Sequence, residues 1–291
     1  MEKLLFVVNP TAGNGRAQKI WARLERQLQE TGERYQVIMS TRPGEIPELV
    51  RQAIEQQPPE RIVAVGGDGT ISEVVNGFAP QPIPLGVIPA GSGNDFAANL
   101  GIPRHPEAAL KRALTGEPRA IDLATINDRY FINIGGVGFD AVVAAETNRI
   151  GKKLRGPLPY IVALLKTLFT YRNTPVTIKI DGKELEARVL LIAVGNGRRF
   201  AGGLRILPTA DAADGLLDVC IVGDLNKMET LAQLPRLFNG THVNHPKVTM
   251  CRGRRVTITA QRPINSQADG EPLGVTPVTF EVLPGQLLVL I

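Results

Sequence analysis

The stretch Arg61-Ile62-Val63-Ala64-Val65-Gly66-Gly67-Asp68-Gly69-Thr70 constrains this chain most. An apolar run of strand type enters a turn holding three glycines, a carboxylate and a hydroxyl. A helix-like segment, Ile71 to Phe78, follows at once. Glycines leave the backbone N–H groups open to a phosphate, because no Cβ stands in the way. The helix N-terminus behind them adds partial positive charge. Asp68 can hold a magnesium ion directly or through water, and Thr70 can donate to a phosphate oxygen. The turn reads as a nucleotide-phosphate site.

Strand and helix signals alternate around it. Leu4–Val8, Tyr35–Met39, Ile62–Val65 and Leu85–Ile88 read as strands. Arg16–Thr31, Pro47–Gln56, Ser72–Phe78, Asp95–Leu100 and Pro106–Leu114 read as helices. That alternation predicts a mostly parallel sheet covered on both faces. Phosphate turns in such sheets sit at the carboxyl ends of strands. Asn9–Gly13, Gly66–Thr70 and Pro89–Asp95 all take that position. The expectation is one shared cleft for nucleotide.

Near Ile121 the texture changes to short strands: Ala120–Ile126, Tyr130–Ile134, Val176–Ile180, Glu186–Val194, Leu217–Val222, Lys247–Cys251 and Arg255–Ala260. Asp181-Gly182 and Asp214-Gly215 punctuate them as turns. Helical stretches at Pro157–Tyr171 and Lys227–Phe238 interrupt the series. The segments Val278–Leu283 and Gln286–Ile291 are able to close either half. The predicted class is α/β plus β. A Rossmann-like three-layer α/β domain spans residues 1–122, with 280–291 as a candidate completing piece, and an antiparallel β-sandwich spans 123–279.

A second glycine turn, Ile88-Pro89-Ala90-Gly91-Ser92-Gly93-Asn94-Asp95-Phe96-Ala97, repeats the strand–turn–helix order. Asn94 or Asp95 is placed to cap the helix, and Asp95 could instead support a metal. One such turn is weak evidence; two, each with an Asp, argue for nucleotide. Gly135-Gly136-Val137-Gly138 is also glycine-rich. It lacks strand–helix signals and reads as a hinge or a close-packing segment. Asp269-Gly270-Glu271 and Asp214-Gly215 taken alone are ordinary solvated turns.

These motifs together resemble the diacylglycerol kinase catalytic-domain family, and within it the small bacterial soluble lipid kinases. The likeness is carried by Val65–Thr70, Asn76-Gly77, Pro89–Ala97, Asn9-Pro10-Thr11-Ala12-Gly13, Pro208–Val219 and Asp269–Glu271, in the family's order. The resemblance implies ATP and Mg²⁺ as cofactors and an NAD kinase/diacylglycerol kinase-like fold. Gly66, Gly67, Asp68, Gly69, Thr70, Ile71, Ser72 and Ser92 would bind the ATP phosphates. Asn9, Pro10 and Gly13 would lie close by, with Ser40 or Thr41 near the nucleotide. Asp68 and Asp95 would organise the catalytic Mg²⁺, and Glu271 would be the general base on the lipid hydroxyl. Asp214 would bind a second, structural Mg²⁺, helped by Asp211 and Leu216, in the family mainly through backbone carbonyls.

Bulk properties are compatible with this. The net charge of +5 is too small to imply nucleic acid, yet suits anionic phosphates or an anionic membrane surface. Cys220 and Cys251 make neither a zinc site nor a required disulfide, so a cytoplasmic location is expected. Met1-Glu2-Lys3 and the short strand after it read as no signal peptide. Leu158–Phe169 is too short to span a bilayer and carries Lys166. Arg149, Lys152, Lys153 and Arg155 precede it. They could seat the protein peripherally on a membrane, or merely start a core helix. Arg252, Arg254 and Arg255 read as a solvated strand edge, and His242 and His245 lack a third ligand. The expected partners are ATP and an amphiphilic lipid, with transient contact at the membrane surface; a homodimer stays open. Rival readings are an NAD kinase, which shares the Gly-Gly-Asp-Gly-Thr turn, and a catalytically weak lipid-binding regulatory module.

Overall fold

The computed structural model describes residues 4–150 and 158–291. The readings made on Met1–Lys3 and on Lys152, Lys153, Arg155 and Pro157 lie outside those residues. The chain begins β1 (Leu4–Val8), α1 (Ala12–Thr31), β2 (Tyr35–Met39), α2 (Ile46–Gln56), β3 (Arg61–Gly66) and α3 (Asp68–Phe78). It continues through β4 (Leu85–Pro89), α4 (Asp95–Asn99), α5 (Pro106–Thr115), β5 (Pro118–Ile126), β6 (Arg129–Phe131) and β7 (Ile134–Gly138). Then come α6 (Phe139–Ile150), α7 (Leu158–Thr170), β8 (Thr174–Ile180), β9 (Lys183–Val189), β10 (Leu191–Gly195) and β11 (Leu217–Val222). Last are α8 (Lys227–Leu237), a short 3₁₀ turn at Thr241–Asn244, β12 (Val248–Gly253), β13 (Arg255–Ala260), β14 (Asn265–Ala268), β15 (Glu271–Val275) and β16 (Val278–Leu290). Two compact units result: one reaches Leu123 and resumes at Pro284–Ile291, and the other is Ala124–Leu283.

In the first unit β1 pairs in parallel with β2 and β3, β3 with β4, and the end of β16 with β4. The order β2-β1-β3-β4-β16 sends the chain from β1 to one side and then back to the other. The switch point therefore lies between β1 and β3, where open parallel sheets bind ligands. Phe6, Val8, Val63, Val65 and Ile88 share a core with Trp21, Leu24 and Leu28 of α1 and Leu110 of α5. Phe6 and Trp21 meet at 5.0 Å between ring centres, and Tyr35 stands edge-on to both. Leu5 and Val7 alternate with these side chains and are also buried, so both faces of β1 are covered. The predicted start of α1 at Arg16 is where regular helix begins: Gly13, Asn14 and Gly15 hold left-handed backbone (φ 59°, 58° and 84°).

The second unit is antiparallel. One sheet has the order β12-β11-β10-β7-β14-β15. The other contains β13 flanked by β8 and the first half of β16. Between them pack Phe131, Val137, Ile178, Ile192, Val194, Val219, Val256 and Phe280. In β11, Leu217, Val219 and Ile221 face this core. Cys220 and Val222 face the opposite way, into a layer with Phe139 and Val143 of α6 and Ala163 and Leu168 of α7. Period-two alternation with both faces apolar is the signature of a sheet covered on both sides.

The reading of Gly135–Gly138 needs correcting in one respect, because β7 runs directly into α6. The close-packing role stands. A Cβ on Gly135 would lie 2.7 Å from the Phe280 ring, and one on Gly136 2.1 Å from Asp140 Oδ2. That carboxylate accepts from Gln267 Nε2 at 3.0 Å, and Gln267 Oε1 accepts from Gly270 N at 2.9 Å. The β14–β15 hairpin is thus tied to the start of α6. Burial pushes the Asp140 carboxyl up from 3.8 to about 6, against the lowering effect of Gln267. Tyr160 and Tyr171 are pushed up to about 12, first by burial and then by the Asp140 charge, so they stay neutral in the same range.

Two outcomes are expected. Gly135→Ala should destabilise the chain by about 1–3 kcal/mol through overpacking. Phe280→Leu in the same chain should cost less than it does alone, and urea unfolding of the double-mutant cycle measures that coupling. Strictly additive losses would contradict the contact. For Asp140, the folded chain holds the proton up to about pH 6 and the unfolded chain only to 3.8. The folded state binds more protons between these values, so wild-type stability should rise as pH falls through 6 and level off below 4. Asp140→Asn should abolish this component, read as a difference in melting temperature that shrinks from pH 8 to pH 4.

Candidate functional site

Three turns close the carboxyl edge of the first unit's sheet. Asn9 N donates to Val65 O at 3.2 Å, and Ala90 N to Gly66 O at 2.7 Å, so the turns leave the sheet side by side. Asn9 Nδ2 donates to Thr70 Oγ1 at 3.1 Å, joining the first turn to the second. A Cβ on Gly91 would sit 2.4 Å from Gly67 Cα, and one on Gly13 would sit 2.2 Å from Ala90 O. Only hydrogen at those positions permits the approach. Arg16 donates to Ala90 O at 3.3 Å and also to Gly91 O.

The middle turn becomes helix earlier than the sequence suggested. Asp68 is the first residue of α3, not a residue of the preceding loop. The first N–H groups of a helix have no partner within it, so this end is open to an anion. Nothing lies within 4 Å of where a Gly69 Cβ would be, leaving room there. Asp68 Oδ1 accepts from Phe96 N at 2.9 Å, which links α3 to the start of α4. Asp68 is half-buried, Asp95 is buried, and Ser92 is exposed on its turn. Pro10 is half-buried in the first turn. Ile71 and Ser72 are buried in α3, and the Ile71 N–H donates to Gly67 O at 3.0 Å, so Ile71 supports the turn from behind.

Asn94 does not cap α4 with its side chain. It takes left-handed backbone (φ 59°) and makes no side-chain cap bond. Its Oδ1 accepts from Gly91 N at 2.8 Å, and its Nδ2 donates to Gly91 O at 2.9 Å, bracing the glycine turn itself. Thr41 is engaged elsewhere than the three turns. Its hydroxyl donates to Glu45 Oε1 at 3.0 Å, and its N–H donates to the same oxygen. Those N–H donors, from Thr41 and Arg42, hold the Glu45 carboxyl down at about 2. Ser40 is buried, its N–H donating to Val8 O at 3.0 Å.

The remaining candidates belong to the second unit. Asp269 and Gly270 turn the β14–β15 hairpin with φ of 50° and 84°. The Asp269 carboxylate accepts from Ile132 N at 2.9 Å and Asn133 N at 3.0 Å. Asp269 is therefore a structural brace, while Glu271, the next strand's first residue, is one-third exposed and pairs with Arg129. Asp211 Oδ1 accepts from Ala213 N and Asp214 Oδ1 from Leu216 N, each at 3.1 Å. Arg252 lies 3.4 Å from Asp214 Oδ2 and 3.2 Å from Asp218 Oδ1. Arg252 is thus no idle strand edge, since it faces Asp218 across β11 and β12. Burial raises the Asp218 carboxyl, and Arg252 opposes that. Among the described residues no group of three His, Cys, Asp or Glu side chains could hold a metal ion. His242 is buried with Nε2 3.2 Å from Ile206 O, a core histidine. Sequence reasoning missed Arg16, Arg129 and the Asp140–Gln267 pair, because each acts on a partner at least 74 residues away.

Comparison with known proteins bears on the same regions. Residues 3–126 match the model of the diacylglycerol kinase catalytic domain. Residues 134–291 match that of the YegS C-terminal NAD kinase beta sandwich-like domain. A diacylglycerol kinase of Mycobacterium tuberculosis is 32% identical, with 99% of this chain and 94% of that protein covered. One of Bacillus subtilis is 32% identical over 96% of this chain and 93% of its own length. A candidate diacylglycerol kinase of Bacillus anthracis str. Sterne superposes with a TM-score of 0.80 at 26% identity, covering 99% of this chain and 96% of that one. Matched along almost its whole length, the glycine turns and the antiparallel unit included, this chain belongs to the diacylglycerol kinase family of kinases.

Proposed function

We propose that the chain transfers the γ-phosphoryl group of ATP to a hydroxyl of a glycerolipid such as diacylglycerol. The observation that carries this is the glycine-to-glycine approach of the β3 and β4 turns, 2.4 Å from a Gly91 Cβ to Gly67 Cα, beside the open end of α3. Such an edge has N–H donors and no side-chain bulk, which suits a triphosphate. The names of the M. tuberculosis and B. subtilis relatives support the lipid acceptor.

The residue roles are those the family resemblance implies, and the geometry bears on them as follows. Gly66 at the end of β3, Gly67 just before α3, and Gly69 and Thr70 in its first turn line the phosphate-facing edge, with Ile71 and Ser72 behind them. Ser92, Asn9, Pro10 and Gly13 flank it, and Thr41 would approach the nucleotide only by leaving Glu45. Asp68 Oδ1 is committed to Phe96 N, so its other oxygen is the one free to meet Mg²⁺, with Asp95 in support. An oxygen-only donor set suits that hard cation. Bound there, Mg²⁺ supplies charge neutralisation and alignment of the phosphates. Glu271 accepts the proton of the attacking hydroxyl through Oε1, because Arg129 holds Oε2. The 211–216 loop offers oxygen donors for a second Mg²⁺ through Asp211, Asp214 and the Leu216 carbonyl. Arg252 is the competing charge there. Mg²⁺ should then raise the melting temperature of wild type more than that of Asp214→Ala, which keeps only the Asp68 site.

The test is transfer of labelled γ-phosphate from ATP into a total lipid extract, with NAD as control acceptor and mass identification of the product. A Mg²⁺-dependent phospholipid product is expected. Asp68→Ala should lower turnover at least about 100-fold with an unchanged circular dichroism spectrum. Glu271→Gln should bind ATP normally and lose about 10²–10⁴ in kcat. Labelled NAD in place of lipid, or wild-type turnover by Asp68→Ala, would refute the reading.

A further inference from the structure

The second unit sets a polar pair into an apolar layer. Phe139 and Val143 of α6 and Ala163 and Leu168 of α7 pack over Ile134 and Leu191 of the six-stranded sheet, while Ile161, Leu165 and Phe169 of α7 are exposed. Within that cover Asp140, in the first turn of α6, meets Gln267 of β14, and both are buried. A buried carboxylate costs stability that an apolar pair of the same size would not, so its use is to be sought in what it orients.

What it orients is the turn between β14 and β15. Gln267 pairs with Gly136 of β7, and the register of β14 against β15 shifts between Ser266 and Gln267. Gly136 has no Cβ, which lets the Asp140 carboxylate lie against β7 and reach the amide. A carboxylate only accepts, whereas an amide donates from nitrogen and accepts at oxygen. Asp140 Oδ2 therefore fixes which way the amide faces: Nε2 donates to it at 3.0 Å, and Oε1 accepts from Gly270 N at 2.9 Å. The opposite orientation would set oxygen against carboxylate and the amide nitrogen against the Gly270 N–H. Asn148 Nδ2, also from α6, donates to Gly270 O at 3.4 Å. Both polar groups of the Gly270 backbone thus answer to α6, and the next residue is Glu271. Arg129 holds Glu271 Oε2, so the turn decides where Oε1 points.

We propose that Asp140 is a positioning residue for phosphoryl transfer: through Gln267 it fixes the Gly270 peptide and aims Glu271 Oε1 at the acceptor hydroxyl. This rests on the reading of Glu271 as the general base and adds what holds that base in place. A base must lie within hydrogen-bond reach of the proton it takes, and a displacement of about 1 Å can cost about 10²-fold in rate. Asp140 itself need touch neither acceptor nor phosphate.

The experiment combines kinetics on dispersed short-chain diacylglycerol with hydrogen exchange at the Gly270 amide. Asp140→Ala should lower kcat roughly 10- to 100-fold and leave KM for ATP within about twofold of wild type. Asp140→Asn keeps an oxygen that accepts from Gln267 and should hold kcat within about threefold of wild type. In the Glu271→Gln background Asp140→Ala should cause no further loss, because no base is left to aim. The Gly270 amide should exchange at least roughly tenfold faster in Asp140→Ala, with the β7 amides still protected. If Asp140→Ala fails to fold, Gln267→Met fills similar space without either bond and should show the same losses. Wild-type kcat in a folded Asp140→Ala or Gln267→Met would overturn the inference. So would an equal loss with and without the Glu271 carboxylate, or an Asp140→Asn that loses as much as Asp140→Ala. Wild-type turnover by Glu271→Gln would refute the base reading, and the inference with it. A wild type that phosphorylates no lipid refutes the lipid-kinase proposal instead; faster Gly270 exchange in Asp140→Ala then still supports the aiming of Glu271, and unchanged exchange overturns it.

Discussion

The first unit depends on a contact in which there is no side chain at all. Gly67 and Gly91 close the turns after β3 and β4 so tightly that a Cβ on either would fall within 3 Å of the other's Cα. Backbone offers no flexible end that could move aside, so the approach belongs to glycine. Gly13 does the same against Ala90 from the turn after β1. With the turns drawn together at the switch point, the open end of α3 and the carboxylate of Asp68 stand at the rim of a backbone-lined surface. Arg16 and Asn94 brace that surface from the sides through bonds to the Ala90 and Gly91 backbone.

The second unit solves a different problem. Its six-stranded sheet is apolar on both faces, so it needs two covers, the other sheet and the helices α6 to α8. β7 can be so rich in glycine because Phe280 and Asp140 fill the space that side chains would have taken. The same crowding buries a carboxylate and locks it to Gln267, and through Gln267 to the turn before Glu271. The helical cover ends with one face of α7 left bare.

Much of this was legible along the chain. The strand–glycine–helix order at Arg61–Thr70 and Ile88–Ala97 is local, and local patterns survive folding. The antiparallel character of the second half followed from short apolar strands and Asp-Gly turns. Other features were not local. β7 has few side chains from which to read a strand, and its identity comes from pairing with β10 and β14. Asn94 looked like a helix cap, but bonding to Gly91 and a positive φ won over capping. The helical stretch read at Pro157–Tyr171 holds over Leu158–Thr170, yet no periodicity says which of two apolar faces will be left uncovered. Arg129 meets Glu271 across 142 residues, beyond any reading of spacing.

The central claim is that three turns make one phosphate-binding surface. It is tested most directly by titrating Mg·ATP into isotopically labelled protein and following backbone amide resonances. The account predicts saturable shifts with one common dissociation constant for Gly13, for Gly67 and Gly69, and for Gly91 and Gly93. Shifts confined to a single turn, or amides of the three turns that saturate at different ATP concentrations, would contradict it.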